Sequence, residues 1–145
     1  MIKKATIKEA KVLASLAIKM WSNHTITELE QDFIDIINNP NNVCFIKYID
    51  DNPIGFVESS KRYDYVEGTR TNPVGYLEGI YILEDYRLKG YAKELLMVCE
   101  KWAKEEGCKE FASDCGLDNQ DSLSFHKAMG FMEVSRIICF KKDIE

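Results

Sequence analysis

Hydrophobic residues follow two periods along the chain, one of three to four residues and one of two, which predict helices and strands respectively. Thr6 with Glu9, and Thr27 with Glu30, have the spacing of a capping box at a helix start. Glycine or asparagine follows the ends of the apolar stripes, as is typical of helix termination. The predicted helices are Thr6 to Trp21, Thr27 to Asn38, Gly90 to Glu106 and Asp121 to Met129.

Apolar, β-branched runs occur between these helices and predict strands. The turn-forming cluster Asp50-Asp51-Asn52-Pro53 joins two of them into an antiparallel hairpin. In the strand that follows, a strict period of two places Glu78 on the same face as Ile80 and Ile82. The predicted strands are Ile2 to Thr6, Val43 to Ile49, Ile54 to Lys61, Val74 to Leu83, Lys109 to Ser113 and, as one strand or a bulged pair, Phe131 to Lys141.

Composition narrows the class of protein. The 145 residues contain no linker-like segment and no long apolar run, so we expect a single domain over residues 1–145 in the cytoplasm. Nineteen Lys and Arg against 24 Asp and Glu give a net charge of −5, which disfavours nucleic acid and anionic membranes as partners. Five cysteines without a Cys-x-x-Cys pair, and only two histidines, predict free thiols and no metal site.

One stretch, Leu77 to Ala92, combines a strand pattern, a glycine-bearing turn and the start of an amphipathic helix. The first backbone N–H groups of such a helix lack carbonyl partners, and the helix dipole adds positive charge there. Arg87, Gly90 and Ala92 form an Arg-x-x-Gly-x-Ala spacing, which differs from both the Rossmann and the Walker motifs. The small residues allow close approach of an anion such as phosphate.

Several further segments appear in a fixed order around this stretch, and together they resemble the GNAT family of acetyl-CoA-dependent N-acetyltransferases, in particular its aminoglycoside 6'-N-acetyltransferases. The segments are Arg62-Tyr63-Asp64-Tyr65-Val66-Glu67-Gly68, Asn72-Pro73-Val74, Leu77-Glu78-Gly79-Ile80, Phe111-Ala112-Ser113-Asp114, Asp118-Asn119 and His126-Lys127-Ala128-Met129-Gly130-Phe131. The resemblance implies an α/β (α+β) fold with a central mixed, mostly antiparallel sheet, flanked by helices, whose central strands splay to admit acetyl-CoA.

The resemblance also implies which residues bind acetyl-CoA. Backbone groups of Ile80, Tyr81 and Ile82 would pair with pantetheine as an added strand. The pyrophosphate would lie on the turn and helix start, and an asparagine would contact the CoA arm. These residues are Arg87, Leu88, Lys89, Gly90, Tyr91, Ala92, Lys93 and Asn119. Asn119 could instead, or in addition, cap the following helix.

For the acceptor side, two carboxylates at the ends of neighbouring strands, Glu78 and Asp114, are the candidate base and ammonium anchors. Trp21 and Tyr65 match aromatic positions that line the aminoglycoside site in the resembling enzymes. Simple alternatives remain open: Glu78 as an edge carboxylate in a salt bridge, and Trp21 as a core residue.

Two positions depart from the pattern. Many GNAT enzymes have a tyrosine, four residues before the Gly-Phe pair, that protonates the departing thiolate, and this chain has His126 there. The resembling enzymes place an acidic residue directly before Arg136, whereas here Ser135 occupies that position and Glu133 lies two residues earlier. Glu133 and Ser135 are therefore the candidates for that wall of the acceptor site.

We expect an acetyltransferase that moves the acetyl group of acetyl-CoA to the 6'-amine of an aminoglycoside by direct attack in a ternary complex. Two alternatives remain: a GNAT enzyme for another small amine or a peptide N-terminus, and a non-catalytic CoA-binding module. A homodimer is expected from the resemblance, with the apolar tail Ile137 to Phe140 as a candidate interface.

Overall fold

A computed structural model describes residues 1–145 as one five-stranded sheet with helices on both faces. In chain order, the elements are β1 (Ile2–Lys4), a 3-10 turn (Ile7–Glu9), α1 (Ala10–Ala17), α2 (Ile26–Asn38), β2 (Asn42–Ile49), β3 (Asn52–Arg62), β4 (Val74–Ile82), a second 3-10 turn (Glu84–Tyr86), α3 (Tyr91–Glu105), β5 (Phe111–Ala112) and α4 (Gln120–Ala128). None of these helices is long and apolar enough to cross a membrane.

The strands lie in the order β1-β2-β3-β4-β5, antiparallel throughout except for the parallel pair β4–β5. Two apolar clusters hold the layers together. One packs α1 and α2 against the face that carries Ile46 and Phe56, and the other packs α3 against the face that carries Val57 and Leu77. The predicted mixed, mostly antiparallel sheet with flanking helices is confirmed.

Helix starts follow the local hydrogen bonds. The capping box of Thr6 and Glu9 is present, since the Thr6 N–H donates to Glu9 Oε1 at 2.8 Å. For α2 the prediction was two residues late, because Thr25 rather than Thr27 accepts the N-cap bond, from the Glu28 N–H at 3.1 Å. The first helix also ends earlier than Trp21, and irregular turns connect it to α2.

A β-bulge in β4 reverses the expected alternation of its side chains. Glu58 pairs with Gly79 and Ser59 pairs with Leu77, so Glu78 is an extra residue opposite β3. Leu77 consequently joins Ile80 on the α3 side, whereas Glu78 bonds Ser60 on the other face. The predicted shared face of Glu78, Ile80 and Ile82 is therefore wrong.

The predicted strand Phe131 to Lys141 is also wrong, since no helix or strand follows α4. A strand needs a neighbour for its backbone groups, and no strand pairs with this segment. Phe131 still packs against the α3-side core, but the apolar side chains further along lie largely in solvent, with Ile138 75% and Phe140 91% exposed. The segment after Gly130, the C-terminal tail, therefore has the hydrophobicity of a sheet strand without a partner in this chain.

Candidate active site

A fork between β4 and β5 forms the centre of the candidate site. The two strands pair only at Gly75 with Phe111 and at Tyr76 with Ala112. Beyond Tyr76, the edge of β4 that faces away from β3 has no strand partner. Backbone groups are therefore available there up to Ile82, whose carbonyl oxygen accepts a hydrogen bond from Arg87 Nε. This gap accommodates an extended chain such as the pantetheine arm predicted for Ile80, Tyr81 and Ile82.

At the open end of the fork, the turn before α3 presents a row of free backbone donors. None of the N–H groups from Leu88 to Lys93 donates a hydrogen bond to the protein. Gly90 adopts φ +86°, caps α3 without a side-chain hydrogen bond, and has no atom within 4 Å of the position that a Cβ would occupy. Leu88 also has a positive φ, 63°. The arrangement suits an anion such as pyrophosphate.

The basic residues of this turn have different roles. Arg87 donates from Nε to the Ile82 carbonyl oxygen at 2.8 Å and lies 5.3 Å from the Tyr81 ring centroid, so it braces the turn against the end of β4. Lys89 and Lys93 are exposed around the free donors. They add positive charge that contacts no acidic partner.

Glu78 lies near the closed end of the fork, where β4 and β5 pair, within a network of polar side chains. Arg62 donates to its two carboxylate oxygens at 2.6 and 2.9 Å, and Ser60 donates to Oε2 at 2.9 Å. The Arg62 guanidinium stacks over the Tyr76 ring at 3.4 Å, and the Tyr76 hydroxyl donates to Asp114. The structure thus brings Glu78 and Asp114 into one network, with Glu78 in the salt bridge considered above.

The Tyr76 phenol is held in its protonated form within this network. Burial, together with the hydrogen bond to Asp114, raises the pKa of Tyr76 well above its usual range. Its hydroxyl therefore remains a hydrogen-bond donor towards the Asp114 carboxylate. Asp114 itself lies on the exposed side of this contact.

Sequence reasoning missed a third carboxylate, Glu58. It lies on β3 opposite Gly79, on the same face as Ser60, and is only 9% exposed. Burial, with a smaller contribution from the charge of Glu78, raises the pKa of Glu58 from 4.5 to about 7. Its carboxyl has no hydrogen-bond partner in the protein. Every polar side-chain atom that is fully enclosed does have a partner, so the Glu58 oxygens must reach solvent. A lone acidic residue within an apolar strand was the available signal.

Trp21 closes the same face from the end of the α1 region. Its ring lies about 3.0 Å from the position of a Cβ on Gly79, and it packs edge-on against Phe56 with centroids 6.2 Å apart. It therefore contacts both the apolar core and the acidic face. Tyr65, by contrast, is 76% exposed in the loop between β3 and β4.

The two candidates after α4, Glu133 and Ser135, are exposed in the C-terminal tail. Glu133 forms an ion pair with Arg136. Between the candidates, Val134 packs against Gly68 of the β3–β4 loop, 2.7 Å from the position of a Cβ there. They thus border the loop that carries Tyr65, and they are not in hydrogen-bond contact with Glu78 or Asp114.

His126 occupies the closed end of the fork. Its Nδ1 lies 2.6 Å from the Ser122 carbonyl oxygen, and its Nε2 lies 2.7 Å from Ser113 Oγ. A carbonyl only accepts, so Nδ1 carries a hydrogen. Asn119, the remaining candidate, caps α4 by accepting the Ser122 N–H at 3.1 Å.

Comparison with known proteins agrees with this architecture. The model of the acetyltransferase (GNAT) family matches residues 11–131. The chain belongs to the GNAT family. Within the family it is 41% identical over 141 residues, 95% of this chain and 96% of the relative, to an aminoglycoside N(6')-acetyltransferase type 1 of Acinetobacter baumannii. It is 34% identical over 90% of both chains to the enzyme of the same name from Serratia marcescens.

Solved structures of GNAT relatives superpose over nearly the whole chain. The apo aminoglycoside 6'-N-acetyltransferase AAC(6')-IG of Acinetobacter haemolyticus has a TM-score of 0.94 at 37% identity, covering 100% of this chain and 99% of its own. AAC(6')-Iy in complex with the bisubstrate analogue CoA-S-monomethyl-acetylneamine has a TM-score of 0.93 at 33% identity, covering 99% and 97%. The fold expected from the resemblance is thereby confirmed.

Proposed function

We propose that this GNAT protein is an aminoglycoside 6'-N-acetyltransferase that uses acetyl-CoA as its donor substrate. The observation that carries the proposal is the position of Glu58, Glu78 and Asp114 beside a forked strand pair, because this places several carboxylates where a cationic amine would meet an acyl donor. The names of its relatives support the same substrate class.

Acetyl-CoA would bind with its pyrophosphate on the free N–H groups from Leu88 to Lys93 and its pantetheine along Ile80, Tyr81 and Ile82. Asn119 would contact the CoA arm in addition to capping α4. Because the phosphates lie at the Ile82 end of β4, the thioester would lie towards the closed end of the fork. That end adjoins the network of Glu78 and Asp114.

The reaction requires loss of a proton from the substrate ammonium, since only the neutral amine attacks the thioester carbonyl carbon. The donors of Arg62 and Ser60 already occupy the Glu78 oxygens, which suits this residue to anchoring the substrate. Asp114 accepts one hydrogen bond, from Tyr76, and is exposed, so it is the stronger candidate base. Attack is direct, with no acetyl-enzyme intermediate.

Other residues would complete the acceptor site. Trp21 offers an aromatic face beside Gly79, and Tyr65 offers a second from the loop. Glu133 and Ser135 would border the sugar rings from the tail side. His126, at the closed end of the fork, would supply the proton for the departing CoA thiolate.

Release of CoA thiol from acetyl-CoA tests this function across aminoglycosides with and without a 6'-amine. Spermidine and a peptide with a free N-terminus serve as controls for the alternative substrates. We expect turnover only with 6'-amino drugs, and mass spectrometry should show one added acetyl group. Turnover confined to the controls would contradict the substrate assignment, and acetyl-CoA binding without turnover would favour the non-catalytic alternative.

A homodimer is the expected assembly, with the C-terminal tail as its interface. Ile137, Ile138 and Phe140 are exposed, and the outer edge of β5 has no strand partner. Sedimentation equilibrium should give a dimer, and Phe140→Glu should give a monomer, whereas Lys142→Glu, also exposed in the tail, should remain dimeric. A monomeric parent protein would contradict the assembly, and a dimeric Phe140→Glu variant would contradict the interface.

The expected location is the cytoplasm, where acetyl-CoA is available. The five cysteines form no disulfide, which fits a reducing compartment. Cell fractionation with a tagged chain tests this, and recovery in a membrane or exported fraction would contradict it.

A further inference from the structure

Ser113 and His126 form a hydrogen-bonded pair, and the reaction described above gives a role to His126 only. Ser113 Oγ lies 2.7 Å from His126 Nε2, and the Nδ1–H of the same ring donates to the Ser122 carbonyl at 2.6 Å. The ring also packs against Phe131, with centroids 5.1 Å apart. The imidazole is thus held in one orientation, with Nε2 directed at the serine hydroxyl.

The serine lies where the two strands separate. It directly follows β5, one residue beyond the last paired position, and its Oγ is 3.5 Å from the Leu77 carbonyl oxygen across the fork. The neighbouring residue Asp114 contacts Tyr76 on the acidic face instead. Adjacent residues therefore contact the two sides of the closed end, Asp114 the acceptor side and Ser113 the α4 side.

This placement bears on the departing thiolate. If pantetheine runs along Ile80 to Ile82 with its phosphates at the Ile82 end, its sulfur approaches the closed end, where Ser113 lies. Nε2 of His126 is already taken up by the hydroxyl, so the imidazole reaches this end through Ser113. We propose that Ser113 is a catalytic residue, and that its hydroxyl passes the proton of His126 to the CoA thiolate. This inference rests on the proposed acetyl transfer.

The proton transfer is balanced as follows. The amine forms the new C–N bond, and the C–S bond breaks with its electron pair going to sulfur. The sulfur takes the Ser113 hydroxyl proton, while Ser113 Oγ takes the Nε2 proton of the His126 imidazolium. His126 ends neutral, with its hydrogen on Nδ1, and regains a proton from solvent. Ser113 forms no bond to the acetyl group.

The test compares Ser113→Ala, Ser113→Thr and His126→Gln in single turnovers, with calorimetric titration of acetyl-CoA as a second readout. We expect Ser113→Ala to slow thiol release by about 100-fold, the low end for loss of general acid catalysis, with unchanged acetyl-CoA affinity. Ser113→Thr keeps a hydroxyl and should retain most of the rate. Because the two residues act in series, the Ser113→Ala/His126→Gln variant should be no slower than the slower single variant.

Three results would overturn the relay: an unchanged rate in Ser113→Ala, additive losses in the double variant, or a rate loss that tracks weakened acetyl-CoA binding. A mass increase of one acetyl group on Ser113 after incubation with acetyl-CoA alone would also overturn it, in favour of a covalent route. Failure of the proposed function is distinguishable, because the parent protein would then acetylate no aminoglycoside at all.

Discussion

The two halves of the proposed site are constructed differently. The donor half is made of backbone N–H groups from consecutive residues, Leu88 to Lys93, and is open to solvent. The acceptor half is made of side chains from β3 and β4 together with Asp114, which follows β5, and ion pairing already occupies part of it. A backbone site depends on local conformation, whereas a side-chain site depends on strand register, so mutations should affect the two halves separately.

The largest difference between the effects on turnover and on acetyl-CoA binding is expected for Asp114→Asn. Loss of the proposed base should lower turnover with a 6'-amino aminoglycoside by about 10²- to 10⁴-fold, while acetyl-CoA affinity stays unchanged. Steady-state kinetics and calorimetry measure the two effects. Asp51→Asn is a matched control, because Asp51 lies in the β2–β3 turn at φ 65°, a conformation that asparagine tolerates. Equal loss of donor binding would show that the halves are not independent.

A smaller effect is expected for Glu58→Gln, and it depends on pH. Because the pKa of Glu58 is about 7 in the folded protein against 4.5 ordinarily, its contribution to the free energy of unfolding is full below pH 4.5 and is lost as pH rises through 7. The parent protein should lose about 1–3 kcal/mol over this interval that Glu58→Gln does not lose.

Denaturant unfolding at several pH values measures this difference. Besides burial, the charge of Glu78 on β4 raises the pKa of Glu58, and the charge of Glu58 in turn helps to raise the pKa of the buried Cys44 on β2. Glu100→Gln, at an exposed position on α3, should show the pH dependence of the parent protein. A Glu58→Gln profile parallel to that of the parent would contradict the raised pKa.

The smallest effect is expected at the donor half, from Gly90→Ala. Gly90 and Gly107 have similar positive φ values, 86° and 93°, and neither has an atom within 4 Å of a Cβ position. Either alanine should therefore lower the free energy of unfolding by about 1–2 kcal/mol. Only Gly90→Ala adds a methyl group beside the free N–H groups, so it alone should weaken acetyl-CoA binding, by about tenfold.

Equal acetyl-CoA affinities in the two variants would show that Gly90 is not part of the acetyl-CoA site. Turnover at saturating acetyl-CoA should be similar for both, since neither residue lies in the acidic network.

The same difference explains what could be predicted from the sequence. The donor turn follows from a local pattern of strand, glycine and helix, and its geometry matches that pattern. The bulge at Glu78 was not predictable, because an extra residue in β4 is defined only by its pairing with β3. The same pairing places Glu58, Ser60 and Arg62 beside Glu78 and so makes them candidate site residues.

The start of α2 and the strand predicted for the C-terminal tail were wrong because the sequence pattern alone does not decide them. Thr25 and Thr27 both precede a glutamate by three residues, and the hydrogen bond to the Glu28 N–H identifies the cap. The C-terminal tail has a strand-like sequence, but pattern alone does not supply the neighbouring strand that a sheet requires.

The distribution of the cysteines has a consequence for chemical labelling. Cys44, Cys99 and Cys108 are buried, and burial raises the pKa of each thiol, so few thiolates are available to react. Cys139, in the tail, is exposed. In the monomer a maleimide dye should therefore attach first at Cys139, which makes this residue a natural position for a fluorescent reporter of the tail's surroundings. For the same reason, thiol reagents that quantify released CoA should be used on a Cys139→Ser background.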